Sequence, residues 1–152
     1  MKTYFRFTLC LLVIALLIAC QPSPSISNEA IAGTYVVTLT EEGLTAAGIG
    51  FRYATEFKDT TWQLEFTNDG VVRFFQENDL GMRVRAEGPF SLSSDEISFG
   101  ADTGIFACAE FGIEQGTYQW KLEGDQLFLS VMEDKCEHRG IIYSAQPWMK
   151  QP

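Results

Sequence analysis

The chain has 152 residues, 46% of them hydrophobic, with 20 acidic and 11 basic side chains and a formal net charge of −9. That length suits one domain around one core. The acidic balance disfavours a polyanionic partner, which excludes nucleic acid, and it would repel the folded part from anionic lipid headgroups.

The N-terminus comes first. Lys2 and Arg6 form a short basic region, and Thr8 to Ala19 is a nearly unbroken apolar run. A bilayer-spanning helix needs about 18 to 20 such residues, so the run is too short for a span and has the shape of a secretory signal core. After Cys20 comes "QPSPSISN", whose prolines and serines cannot continue a helix.

The stretch "LIAC" at Leu17–Cys20 resembles the lipobox of bacterial lipoproteins. The resemblance implies cleavage after Ala19, diacylglyceryl attachment at the Cys20 thiol, and usually acylation of the new amine by a further chain such as palmitate. It divides the chain into a signal peptide (1–19), a lipidated cysteine with a flexible spacer (20–30) and a barrel domain (31–150). Two or three acyl chains make a stable membrane anchor where one does not. Gln21 replaces the Asp associated with inner-membrane retention. The expected location is therefore extracytoplasmic: the outer membrane, facing the periplasm, in a two-membrane host, and the outer face of the plasma membrane otherwise. Loss of Lys2 and Arg6 with the signal makes the mature charge two units more negative.

From Ile31 onward, apolar and polar residues alternate with period two, broken by Gly, Asn and Asp. "GTYVVTLT" predicts the first strand. "EEGLTAAGIGFRYATEFKD" breaks the alternation and predicts two short helices, the first capped by Thr40 with Glu41 and Glu42 favourably placed against the helix dipole. This insert is expected to lie across one mouth of a barrel as a lid, with Leu44, Ile49, Phe51 and Phe57 closing it. In "TWQLEFTNDGVVRFFQ", a three-residue loop pairs Phe66 with Val72, Leu64 with Phe74 and Glu65 with Arg73. Across "ENDLG", matching apolar faces pairs Phe74 with Val84 and Val72 with Ala86, which sets Arg73 against Arg85. The row Glu65–Arg73–Arg85 reads as a solvated face rather than an anion site, since carboxylates relieve the repulsion.

"GMRVRAEGPFSLS" reads as one long strand kinked at Gly88-Pro89. "SLSSDEISFG" sets Leu92 against Ile97 and Phe90 against Phe99. "GTYQWKLEGDQLFLSV" matches Tyr118, Trp120 and Leu122 with Val131, Leu129 and Leu127. "GIIYSA" supplies a last strand. The expected fold is thus all-β, an antiparallel up-and-down barrel of about eight strands with a helical lid between the first two. Closure removes the exposed edges.

Cys10 falls in the signal and Cys20 is the anchor, so Cys108 and Cys136 remain. In an exported domain two cysteines predict a disulfide, worth about 3–4 kcal/mol for a loop of this size in the chain-entropy model. The alternative, Cys136, Glu137, His138 and Cys108 as metal ligands, is set aside because the chain has one histidine and no second close thiol. No metal or cofactor is expected.

Gly33 and Tyr35 of "GTY", and Arg139 of "CEHRG", resemble the first-strand Gly-x-Trp and late Arg of the calycins, the superfamily of lipocalins and fatty-acid-binding proteins. In lipocalins that Arg packs on the Trp, and here Tyr stands in the Trp position. "GTYQWKLEGDQLFLSVMEDKCEHRGIIYSAQPW" is similar to the C-terminal half of uncharacterised lipocalin-like bacterial proteins. With "GTYVVTLTEEGLTAAGI", the resemblance covers most of 31–150 and implies the barrel more than any activity.

Two functions follow. In the first, lid and barrel enclose a small apolar or amphipathic ligand against inward residues Trp62, Leu64, Phe66, Phe74, Met82, Val84, Phe90, Phe99, Tyr118 and Trp120, with Leu44, Phe51 and Phe57 at the mouth. An eight-stranded barrel is just wide enough either to hold one small ligand or to be filled by its own side chains, and the sequence leaves both open. In the second, a filled barrel serves as an envelope interaction module, an inhibitor or scaffold whose acidic surface steers a basic cell-wall enzyme. Catalysis is not expected: the sequence has no nucleophile elbow, phosphate loop or HExxH motif. The protein is expected to be monomeric.

Overall fold

A computed structural model describes residues 26–152. The signal peptide and Cys20 lie outside the described residues, as do all but the last part of the spacer's polar stretch. Eight antiparallel strands in sequential order close into a barrel. They are β1 (Gly33–Leu39), β2 (Thr60–Phe66), β3 (Val71–Asn78), β4 (Gly81–Leu92), β5 (Glu96–Phe99), β6 (Gly116–Glu123), β7 (Gln126–Asp134) and β8 (Trp148–Lys150). Among the described residues three α-helices interrupt them: α1 (Glu41–Ala46) and α2 (Phe51–Phe57) between β1 and β2, and α3 (Glu137–Ser144) between β7 and β8. Among the described residues no helix is long and apolar enough to cross a membrane.

The alternation dictates the strands. In β2, Trp62, Leu64 and Phe66 are buried while the residues between them are half-buried, as period two requires when one face meets a core. Gly70 closes the β2–β3 turn at φ 83° and Gly124 the β6–β7 turn at φ 60°, conformations that glycine adopts without a Cβ clash. The pairings of Phe66 with Val72, Leu64 with Phe74 and Glu65 with Arg73 are present. So are Phe90 with Phe99, Leu92 with Ile97, and Tyr118, Trp120 and Leu122 with Val131, Leu129 and Leu127.

The β3–β4 register differs from the expectation. Phe74 faces Ala86, Phe75 faces Val84, and the shift between them leaves Arg85 without a cross-strand partner. One extra residue in a strand reverses the facing of everything beyond it. Val84 therefore lies on the outer face at 54% exposure and Met82 follows it at 37%, and neither is an interior residue. Arg73 faces Glu87 rather than Arg85. Its Nε donates to Glu87 at 2.5 Å, and Nη1 reaches Glu65 at 3.5 Å, so the apparent like-charge pair is absent.

The last strand is also reassigned. "GIIYSA" lies in α3 and its C-cap, and Trp148–Lys150 closes the barrel instead. The helix turns Arg139, Ile142 and Tyr143 inward at the i, i+3, i+4 spacing of one helical face.

Antiparallel order sorts the connections by end. The β2–β3, β4–β5 and β6–β7 turns lie at one end, where Asn28 Nδ2 also meets the Asn68 carbonyl at 3.4 Å. The helices and the long β5–β6 loop gather at the other. There Thr40 Oγ1 caps α1 by accepting from the Gly43 N–H at 3.0 Å, and Tyr53 of α2 donates to Glu137 of α3 at 2.5 Å.

Candidate functional site

The barrel interior is the site to which the alternation points, and it is full. Leu44, Phe57, Trp62, Phe66, Phe74, Phe90 and Tyr118 all belong to the buried core. Trp62 stacks on Phe74 with ring centres 4.9 Å apart, and Phe66 meets Tyr35 and Phe90 edge-on. Trp120 is only half-buried, at the tight-turn end, where its Nε1 donates to the Ser93 carbonyl at 3.3 Å. Phe51 does not close the mouth and is 82% exposed. Ala54 and Phe57 use up the inward side of this short helix, and Phe51 begins it one turn further out.

The residue that occupies the middle is Tyr143 of α3. Its ring lies 5.4 Å from Phe74, 5.1 Å from Phe99, 5.9 Å from Tyr118 and 6.1 Å from Trp148. A helix entering through the mouth thus places an aromatic side chain in the middle of the barrel. A small hollow between Phe74, Ala86, Phe99, Asp102, Arg139 and Tyr143 measures about 10 Å³, room for one water.

Beside the plug lies a buried polar cluster. Arg139 donates from Nε to Asp134 Oδ2 at 2.7 Å and from Nη2 to Oδ1 at 3.1 Å, and its Nη1 is 3.5 Å from Asp102 Oδ2. Tyr118 donates its hydroxyl to Asp134 Oδ2 at 2.5 Å, and the Cys136 N–H donates to Oδ1 at 2.8 Å. Gly116 makes room for this: a Cβ there would stand 2.3 Å from Asp134 Oδ2. Burial, reinforced by the bond to Asp134, pushes the Tyr118 hydroxyl well above its ordinary pKa, and burial does the same for Tyr143. Burial alone would lower the Arg139 pKa, but Asp134 more than offsets it and holds the guanidinium above its usual value. A bidentate pair so enclosed holds α3 in the barrel.

Arg139 does not pack on the first-strand aromatic. The cation over Tyr35 is Lys150, 5.6 Å from the ring centre. Tyr143, Asp134 and Asp102 escape the sequence reading. The signal that finds Tyr143 is the i, i+4 spacing of Arg139 and Tyr143 across a stretch otherwise read as a strand.

Cys108 and Cys136 form the disulfide, which ties the β5–β6 loop to the start of α3. Both are buried.

The larger hollows lie on the outside. One of about 440 Å³ is lined by Trp120, Phe128, Asp95, Glu123 and Lys121 among others. A second, of about 380 Å³, runs between the β5–β6 loop and the outer ends of β6 and β7, beside Glu114, Glu133 and Lys135. Comparison with family models, with curated proteins and with solved structures returns no match for this chain.

Proposed function

We propose that this chain is a lipid-anchored, extracytoplasmic barrel of lipocalin-like type that works through its outer surface, as an interaction module for a basic envelope protein. The observation that carries this reading is the plugged interior: Tyr143 packs among rings of four strands, and the hollow beside it measures about 10 Å³, far below the roughly 300 Å³ of a small-molecule pocket. The formal charge of −9 favours a cationic partner. The outer hollow suits it locally. Trp120 and Phe128 offer aromatic faces and Asp95 a carboxylate, and Glu123, paired with Lys121, adds a second, a combination that accepts a lysine or arginine side chain.

Calorimetric titration with a basic lysozyme-type muramidase tests the proposal. Binding should weaken steeply as salt rises, and Asp95→Asn with Glu123→Gln should weaken it at low salt. Absence of binding, or binding indifferent to both salt and those variants, would count against it.

A second reading, an interior site for a small amphipathic molecule, draws on one observation. Tyr35 Oη and Trp62 Nε1 are buried without a hydrogen-bond partner. Such a site requires α3 to withdraw Tyr143. Native mass spectrometry of the delipidated chain should show no retained small molecule under the first reading and a stoichiometric one under the second.

A further inference from the structure

The disulfide has a third neighbour. His138, two residues beyond Cys136, places Nε2 at 3.4 Å from Cys136 Sγ, 3.8 Å from Cys108 Sγ and 3.1 Å from the Phe106 carbonyl oxygen. The ligand atoms of Cys108, Cys136 and His138 all lie within 4.8 Å of one another. A tetrahedral zinc ion, with about 2.0–2.1 Å to imidazole nitrogen and about 2.3 Å to each thiolate, sets nitrogen and sulfur about 3.5 Å apart. The imidazole Nε2 already stands near that spacing, at 3.4 Å from one sulfur and 3.8 Å from the other. For an ion to fit, the sulfurs must part and Nε2 must release the Phe106 carbonyl.

We propose that before the disulfide forms, Cys108, Cys136 and His138 constitute a zinc-binding site of the Cys2His type. The chain is synthesised with both cysteines as thiols, and the bond forms only in an oxidising compartment. Binding moves no electrons: each thiol releases one proton, both sulfurs coordinate as thiolates, and neutral His138 donates its Nε2 lone pair. The fourth position falls to solvent, as at other Cys2His sites, and half-buried His138 gives a path in. Oxidation removes two electrons from the two thiolates, which pass to the disulfide of an exported thiol–disulfide oxidoreductase. It forms the S–S bond and expels the ion. Ion and disulfide are therefore mutually exclusive states of one site, and either can tie the β5–β6 loop to α3.

This proposal stands apart from the function proposed above and does not depend on it. The test uses the full chain in detergent, reduced with a phosphine and titrated anaerobically with cobalt(II) alone as the probe. The expected result is one equivalent bound, with thiolate-to-cobalt charge-transfer absorption and the visible bands of a tetrahedral site. Both should be lost in Cys108→Ser and Cys136→Ser. In His138→Ala, affinity should fall by at least about tenfold, the loss that follows even from removing an outer partner of a metal ligand. If the reduced chain loses its near-ultraviolet tryptophan signal, cobalt should restore it. Zinc should also slow reoxidation by an added disulfide. Absence of the charge-transfer band, an unchanged affinity in His138→Ala, or a lost tryptophan signal that cobalt does not restore would each overturn the proposal.

Discussion

Arg139 and Asp134 pair inside the barrel, with Nε to Oδ2 at 2.7 Å and side-chain exposures of 4% and 0%. Neither charge has water as an alternative partner, so each depends on the other. Asp134→Ala should destabilise the fold by about 3–5 kcal/mol, because it strands a guanidinium in the core. Arg139→Met combined with Asp134→Leu should cost far less than the sum of the single changes. A double-mutant cycle by urea denaturation measures the difference, and additive losses would contradict the pairing.

Alkaline stability follows from the buried tyrosines. Tyr118 and Tyr143 both have raised pKa values, Tyr143 through burial. In the unfolded chain a tyrosine titrates near pH 10. The favourable contribution is therefore complete below about pH 10 and is lost as pH rises further, because only the unfolded state then gives up the proton. The slope is about 1.4 kcal/mol per pH unit for each tyrosine still protonated in the folded state. Tyr143→Phe should remove one such share. Denaturant midpoints measured from pH 9 to 11 would show it, and identical slopes for variant and parent would refute it.

Gly116→Ala addresses the same cluster from the backbone side. Its methyl would meet Asp134 Oδ2 at 2.3 Å and Arg139 Nη2 at 2.9 Å. Both groups are anchored by their own bonds, so neither can yield cheaply. A loss of about 1–3 kcal/mol is expected, as for other overpacked core sites. A thermal midpoint unchanged from the parent would show that the cluster can shift.

The β3–β4 register makes opposite predictions for two neighbouring apolar residues. Val84→Ser, on the outer face, should change stability by no more than about 0.5 kcal/mol. Phe74→Ala, at 4% exposure, should cost about 3–5 kcal/mol. A large loss at Val84 would restore the register in which it faces inward.

Most of the barrel is legible in the amino-acid sequence because tight turns leave little freedom in pairing. With Gly70 and Gly124 fixing two hairpins, matching apolar faces selects a single register for each. Arg85 shows where that logic fails. Its extra position is set by the β5–β6 loop, whose Phe106 N–H bonds the Arg85 carbonyl at 3.0 Å and whose Thr103 bridges Glu87. Nothing local to β4 encodes those contacts. Ile141, Ile142 and Tyr143 fail for a different reason: β-branched and aromatic residues favour strands on propensity, and the pull of Arg139 toward Asp134 overrides it. The disulfide was legible from the cysteine count and the expected compartment, but the plug was not, since its partners lie on four different strands.

Ring closure is unevenly shared around the barrel. β1 and β2 are joined by seven residue pairs. β8, three residues long, meets β1 through two pairs and β7 through two more. The two joins made by β8 are thus the thinnest seams, spanned by few amides, and the Trp148 indole ties this strand to the plug, its Nε1 donating to the Tyr143 carbonyl at 2.9 Å. Native-state hydrogen exchange should find its fastest-opening strand amides there. The helix that fills the barrel and the strand that shuts it are consecutive in the chain, so the seam cannot part without loosening the stopper.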